Sequence, residues 1–290
     1  MPQDLWRHKA TKLGENFAKE QKCTSLPVKP IEVAEKLGML VEPLPSDKEG
    51  VSGMLLYSGN KFGIMYASYL NNPGFENFSV AHELGHYATP GHPEKILISG
   101  QHVSHAGFTS PDQTELEADH FAAGFLMPGY LFDPEINKFQ SGMKAVEALS
   151  RACTTSLTAT AIRYAQRTPD PIAIVVSERQ TIRYCFMSDE FKEIQDLTWI
   201  IKGTPLPKDT VTSRFNSHKN NILNAIRAEG EASLLDWFGS NSSLELYEEV
   251  IGLGGYGRTL TVLSIDEMPD QDELDEEDEL IESWTPRFKR

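Results

Sequence analysis

The 290-residue sequence has few cysteines and no long apolar segment. Its three cysteines, Cys23, Cys153 and Cys185, are widely spaced. This pattern argues against a disulfide framework or a cysteine-based zinc site and favours a reducing compartment. No run approaches the ~20 apolar residues that a transmembrane helix needs. The segment 1–20 is charged and amphipathic, unlike a signal peptide. We therefore expect a cytoplasmic protein without a membrane partner.

Basic residues are in the minority, with 27 Lys and Arg against 42 Asp and Glu, for a net charge of −15. Eleven of the carboxylates lie between Asp266 and Glu282, and the rest of the chain carries only −4. We predict an acidic, disordered tail at 266–290; the alternative is an acidic arm that competes for a basic partner surface. The chain as a whole lacks the basic excess of a nucleic-acid-binding protein.

The length predicts two domains, or three, and the apolar periodicity predicts an α+β fold. A segment with two prolines at 168–171 predicts a domain boundary. The predicted helices span 5–22, 30–37, 75–87, 112–126, 143–152, 157–167, 191–201 and 213–229, and the predicted strands span 39–44, 51–57, 62–66, 172–176, 181–187 and 259–265.

Six of the eight histidines lie between His82 and His120, and this window contains an H-E-x-x-H pattern at 82–86. Residues four apart on a helix are separated by about 40° around the axis and 6 Å along it. The imidazoles of His82 and His86 can therefore point at one ion, and zinc accepts such nitrogens while leaving a position open. Glu83 would reach a water at the metal, accept its proton and pass that proton to the leaving amine.

A catalytic zinc usually has three protein ligands, so a third is expected on another element. Glu115 and Asp119 lie four residues apart on the later predicted helix, whose apolar side would carry both acids against the first helix. Glu115 would complete a His-His-Glu site, and Asp119 would hydrogen-bond the distal nitrogen of a ligating histidine. The alternative is that Glu115 and Glu117 are ordinary exposed helix carboxylates.

The remaining histidines of this window have less specific predictions. His92, His102 and His105 are predicted to be polar residues of a loop between the two helices. His120 is predicted to be a packing residue, since it points about 100° away from Asp119 around the helix.

The segments around these motifs resemble the ImmA/IrrE family of metallo-endopeptidases. The similar stretches are FSVAHELGHY at 78–87, ELEADHFAAGFLMP at 115–128, and shorter ones within 26–38 and at 51–55. The resemblance covers roughly residues 25–165. It implies a zincin-like fold, with His82, His86 and Glu115 as zinc ligands and Glu83 as the catalytic base. Members of the family are cytosolic proteins that relieve repression by cleaving a helix-turn-helix repressor.

We accordingly predict four segments. A zinc peptidase core with a small antiparallel sheet occupies 1–134, a helix-turn-helix-like helical pair 135–168, a mixed α/β domain 169–265, and the acidic tail 266–290. In one branch of the family the third segment resembles a GAF-type sensor domain. The helical pair carries too few basic residues for duplex binding, which relies on many phosphate contacts, so we expect it to pack or to dock a partner.

The predicted function is a zinc-dependent endopeptidase acting on a protein substrate, expected to be a transcriptional repressor. Mn²⁺ and Fe²⁺ also suit a His-His-Glu site. The alternative function is a non-hydrolytic regulator (an antirepressor, antitoxin or DNA-binding protein) in which the metal is structural. The three expected ligands argue against this alternative, because structural zinc sites are normally closed by four ligands and rich in cysteine.

Overall fold

The computed structural model describes residues 2–45, 50–69, 71–105, 112–242 and 244–265. It divides into two compact units, one up to Thr168 and one from Pro169 onward. Within the described residues, no helix is long and apolar enough to cross a membrane. The predicted acidic tail lies outside the described residues, and the separation of a peptidase core from a helical segment at residue 134 stays a prediction.

The first unit contains eight helices in its described part. Those that were predicted lie within a few residues of their expected bounds, whereas α4 and α6 were not predicted. The helices are α1 Pro2–Glu20, α2 Pro30–Lys36, α3 Pro73–Ala88, α4 His92–Ile96, α5 Gln113–Leu126, α6 Gly129–Ile136, α7 Met143–Cys153 and α8 Leu157–Ala165.

A four-stranded sheet accompanies these helices in the order β1-β3-β2-β4. Its strands are β1 Leu40–Pro43, β2 Val51–Ser58, β3 Lys61–Tyr66 and β4 Gln101–His105. The two predicted strands β2 and β3 form an antiparallel hairpin, and β4, which was not predicted, pairs antiparallel with β2. The prediction of an antiparallel sheet was wrong in one respect, because β1 pairs parallel with β3. The alternation of apolar residues places a strand in a sheet but does not give the direction of its neighbour.

The two helices that carry the motifs begin at side-chain caps. Asn72 Oδ1 accepts hydrogen bonds from the amides of Gly74 and Phe75 at 3.1 and 3.2 Å, and Asp112 accepts one from the amide of Thr114 at 2.9 Å. Each cap satisfies amide groups that a helix start leaves without a partner. The caps place the H-E-x-x-H motif in the last turns of α3 and the acidic motif in the first turns of α5.

α5 is the central helix of the first unit and packs against both α1 and α3. Its Phe121 and Phe125 are fully buried, and both rings contact Phe17 of α1, at centroid distances of 5.4 and 5.6 Å. His120 packs edge-on against Trp6 of α1, as a packing residue should. The side of α5 that carries Glu115 and Asp119 is thereby turned away from α1 and toward α3.

A buried ion pair joins α1 to α8. The Arg163 guanidinium donates to the Glu15 carboxylate, and its Nε also donates to the Met127 carbonyl at the end of α5, at 3.0 Å. Arg163 is only 5 % exposed, and most of α8 is buried. One of the basic residues of the predicted helix-turn-helix-like pair is therefore engaged inside the fold.

The second unit is built on a five-stranded sheet in which every neighbouring pair of strands is antiparallel. From one edge to the other its strands are β6 (Thr181–Met187), β5 (Ile172–Glu178), β9 (Thr259–Ser264), β8 (Glu245–Gly252) and β7 (Arg227–Ser233). Phe191, Trp237 and Phe238 pack helices against this sheet in one apolar cluster, and Val211 and Phe215 do so in another. The unit also contains α9 Asp189–Lys192, α10 Val211–Asn216, α11 Lys219–Leu223, α12 Leu234–Phe238 and a 3₁₀ turn at Gly254–Tyr256.

Two predicted helices of this unit were wrong. The helix expected at 191–201 ends at Lys192, and the one expected at 213–229 is two short helices followed by strand β7. Ala225 has φ +49, which ends the helical stretch. β7 is an edge strand whose polar sequence, RAEGEAS, has little strand propensity, and its pairing with β8 overrides that local preference.

Candidate metal centre

The two histidines of the H-E-x-x-H motif lie one turn apart in the middle of the first unit. Their Nε2 atoms are 3.0 Å from each other, and His82 and His86 are 7 % and 0 % exposed. The helical spacing thus directs both imidazoles to one point, as the sequence predicts.

Glu115 supplies a third donor from the first turn of α5. Its Oε2 lies 3.3 Å from His82 Nε2, and its Oε1 lies 3.3 Å from His86 Nε2. Adjacent donors on a tetrahedral zinc ion with bonds of ~2.05 Å are about 3.3 Å apart. The nature and spacing of these three donors, which form a possible metal site, therefore fit a small divalent cation.

The charges around this point favour a cation. Burial would lower the pKa of His82, but the hydrogen bonds to Asp119 and Glu115 outweigh it and raise this pKa to about 10. Burial lowers the pKa of His86 to about 4, which keeps that imidazole neutral, as a metal ligand must be. Burial also opposes ionisation of Glu115, yet the hydrogen bonds from His102, His82 and His86 hold its pKa well below the ordinary value.

A second carboxylate orients the first histidine. Asp119 Oδ1 lies 2.9 Å from His82 Nδ1, one turn beyond Glu115 on the same face of α5. In the neutral form of His82, the Nδ1 proton is donated to Asp119 and the Nε2 lone pair faces the other donors. The structure thus brings Asp119 to the position that the sequence predicts, while its role at a metal remains a prediction.

The helices can approach closely enough for this because of a glycine inside the motif. A Cβ placed on Gly85 would lie 3.1 Å from Phe121 Cδ1 and 3.2 Å from Ala118 Cα. Those distances are shorter than ordinary carbon contacts. Gly85 therefore lets α3 pack directly on α5, and this packing sets the distance between the histidines and Glu115.

Glu83 is fully buried beside these donors, and its carboxylate makes no well-formed hydrogen bond with another described residue, although the Ser104 hydroxyl of β4 interacts with it. Burial raises its pKa from 4.5 to about 6, although His82 lowers it in part. The backbone of β2 at Gly53 lies directly against this carboxylate, because a Cβ placed on Gly53 would be 2.5 Å from Glu83 Oε1. A buried carboxylate with so little hydrogen bonding is costly, so its presence here calls for an explanation.

The prediction that His92, His102 and His105 lie on a loop was wrong. His92 begins α4, whereas His102 and His105 belong to β4. His102 Nε2 lies 2.9 Å from Glu115 Oε1, so β4 adds a neighbour to the candidate metal centre that sequence reasoning missed. The crowding of six histidines into one short window was the available signal.

Comparisons with known proteins agree with this geometry. Residues 34–163 match the family model of the IrrE N-terminal-like domain, which carries the family name peptidase M78. No curated protein matches the chain. Among solved structures, a Mycobacterium tuberculosis transcriptional regulator is similar, with a TM-score of 0.55 and 14 % identity over 91 % of this chain and 82 % of that one. At that identity the likeness concerns the fold alone. Through residues 34–163, the chain therefore contains an IrrE N-terminal-like domain of the kind found in ImmA/IrrE family metallopeptidases.

Proposed function

We propose that the chain is a zinc-dependent endopeptidase whose substrate is a helix-turn-helix transcriptional repressor. The observation that carries the proposal is the convergence of three side chains that can ligate a metal, His82, His86 and Glu115, whose donor atoms all lie within 4.8 Å of one another. The buried carboxylate of Glu83 lies in the same region. The IrrE N-terminal-like domain supports a peptidase or a regulatory role. The repressor as substrate follows from the resemblance to the ImmA/IrrE family.

His82, His86 and Glu115 would hold the ion through their Nε2 and carboxylate atoms. A divalent cation there would polarise the scissile carbonyl and make a water molecule more acidic; Mn²⁺ and Fe²⁺ suit the same donors. Asp119 keeps the proton of His82 on Nδ1, so that the Nε2 lone pair remains available.

Glu83 would act as the general base and then as the general acid. A pKa of about 6 leaves its carboxylate mostly ionised at neutral pH, yet makes its protonated form acidic enough to release the proton again. Because no described residue makes a well-formed hydrogen bond to its carboxylate, Glu83 can accept the proton of the attacking water, and the nearby Ser104 hydroxyl would help to orient it. The same carboxyl would then protonate the leaving amine.

The alternative function is that of a non-hydrolytic regulator. One observation favours it: the similar protein from Mycobacterium tuberculosis is a transcriptional regulator, although the likeness extends only to the fold. In that case the metal would stabilise the domain, and Glu83 would be dispensable for derepression.

We also propose a sensory role for the second unit, because the corresponding segment resembles a GAF-type sensor domain in one branch of the ImmA/IrrE family. Its antiparallel five-stranded sheet with helices packed against it supports this role. We place the reaction in the cytoplasm, since Cys23, Cys153 and Cys185 are all unpaired.

The experiment that tests the proposal is incubation of the purified chain with a repressor encoded beside it, with and without chelator. We expect a discrete fragment that requires metal. Glu83→Gln should bind one zinc per chain yet leave the repressor intact, and Glu115→Ala should lose zinc. Glu94→Gln, the same change at an exposed position of α4, is the matched control. Unchanged cleavage by Glu83→Gln would reject the mechanism, and derepression without cleavage would favour the regulator.

A further inference from the structure

A hydrogen-bonded chain of three side chains leads away from the second histidine of the motif. His86 Nδ1 lies 3.3 Å from His92 Nδ1, and His92 Nε2 lies 2.9 Å from Glu117 Oε2. His92 is 5 % exposed, and its imidazole is held between α3 and α5. Gln113 donates to the other oxygen of Glu117 at 2.7 Å, which fixes that carboxylate in place. None of these contacts involves the Glu115–Asp119 pair of the predicted motif.

The positions of the protons in these hydrogen bonds follow from the residues at the two ends, the proposed metal ligand His86 and the carboxylate Glu117. A metal ligand must offer an unprotonated Nε2, so a neutral His86 carries its proton on Nδ1. That proton points at His92 Nδ1, which must therefore accept, and a neutral His92 then carries its proton on Nε2. This Nε2 faces Glu117, an acceptor when ionised. The reverse order would place an unprotonated His92 Nε2 against a carboxylate, with no hydrogen between them.

We propose that His92 and Glu117 are positioning residues that fix the tautomer and the ring orientation of His86 for metal binding. The inference rests on the proposed metal site, and it assigns to His86 the support that Asp119 gives to His82. The two histidines of the motif thus have different supports: a direct carboxylate for His82, and a carboxylate acting through a second imidazole for His86. Loss of such an outer partner typically weakens metal affinity by 10- to 100-fold.

The test measures zinc affinity by competition with a chromophoric chelator. His92→Leu removes both hydrogen bonds, and we expect it to weaken zinc binding about 10- to 100-fold. His92→Asn keeps an acceptor near the Nδ1 position, so its affinity should lie between those of His92→Leu and the unchanged protein. His105→Leu, a change at the exposed histidine of β4, should have no effect.

A double-mutant cycle separates the effect that Glu117 has through His92 from its other effects on zinc binding. Glu117→Gln should weaken zinc binding in the unchanged protein but not in the His92→Leu background, because the chain that transmits its effect is already broken. An equal loss in both backgrounds would mean that the charge of Glu117 acts through space, and would overturn the proposal. Glu117 is partly exposed, so this variant remains informative even if His92→Leu does not fold.

Two further readouts distinguish positioning from simple stabilisation. The metal-free variants should unfold at nearly the same temperature as the unchanged protein, while the visible spectrum of the cobalt-substituted protein should change. Long-range ¹H–¹⁵N spectra of the zinc-bound protein should show His92 protonated on Nε2, and Glu117→Gln should alter that signal. Wild-type affinity and an unchanged cobalt spectrum in both variants would refute the inference. A protein that binds zinc in this way but cleaves nothing would refute only the proposed function.

Discussion

The substitution Gly53→Ala isolates the position of the proposed general base, Glu83, from the rest of the site. The three atoms nearest to the added Cβ all belong to Glu83, and Oε1 would be only 2.5 Å away. Moving Oε1 to a tolerable 3.0–3.4 Å requires a displacement of 0.5–0.9 Å. The end of the Glu83 side chain can make this shift, so the backbone and the metal ligands should stay in place. The backbone of Gly53 is not left-handed, so alanine suits its conformation.

The magnitude follows from what such a shift costs in catalysis. A proton-transferring side chain typically contributes 10²- to 10⁴-fold to the rate, and a misplacement of ~1 Å can cost about 10²-fold. We therefore expect kcat to fall about 10²-fold, equivalent to about 2.7 kcal/mol in the activation free energy. The free energy of unfolding and the zinc affinity should change little.

The assay compares kcat, bound zinc and unfolding temperature for Gly53→Ala and for Gly63→Ala. The control lies in β3 of the same sheet, where the added Cβ would have no neighbour closer than 3.4 Å. Wild-type turnover in Gly53→Ala would refute the idea that Gly53 positions Glu83. A loss of zinc or of folding in proportion to the loss of activity would refute it equally.

Three further predictions concern stability. Burial would raise the pKa of Glu15, but the hydrogen bonds from Lys12 and Arg163 outweigh this effect and hold the pKa below 4.5. The contribution of Glu15 to the free energy of unfolding is therefore present above pH 4.5 and is lost as the pH falls through the lowered pKa. In urea unfolding, Glu15→Gln should cost about 3 kcal/mol at pH 7 and progressively less as the pH falls through the lowered pKa. A cost independent of pH would contradict this. Gly85→Val should force α3 away from Phe121, destabilise the domain by about 1–3 kcal/mol and weaken zinc binding. Calorimetry measures the loss of stability, and competition with a chelator measures the zinc affinity. An unaltered zinc affinity would disprove the role of the close packing. At a free zinc concentration of about 100 times the Kd, removing the zinc should lower the free energy of unfolding by about 2.7 kcal/mol, and adding zinc back should restore it. An identical melting temperature with and without zinc would exclude a metal site in the folded state.

The principal donors of the candidate site could be predicted because they lie in helices. The spacings of His82 and His86, and of Glu115 and Asp119, each correspond to one helical turn, so the sequence alone places each pair on one face. That the two faces meet depends on the packing of α3 on α5, which the glycine within the motif permits but does not by itself specify.

His92, His102, Glu117 and Gly53 could not be assigned in the same way. His102 reaches Glu115 from a five-residue edge strand, and His92 reaches Glu117 from a single helical turn. Such short elements carry too little periodicity to be recognised from sequence. Gly53 matters only because β2 passes behind Glu83, which is a consequence of strand pairing. The wrong prediction of a helix up to residue 229 in the second unit had a related cause, since a polar edge strand such as β7 has the composition of a helix or a loop.

The link between Glu15 and Arg163 has a consequence for how the IrrE N-terminal-like domain is isolated. The family match begins at residue 34, fourteen residues beyond the end of α1. A recombinant fragment cut at that boundary would keep Arg163 and Met127 but lose the acid that neutralises the guanidinium, and would uncover the aromatic side of α5. Such a fragment should aggregate or stay partly unfolded, and its inactivity would reveal nothing about the chemistry. The evolutionary unit recognised by homology is thus smaller than the unit that must be expressed.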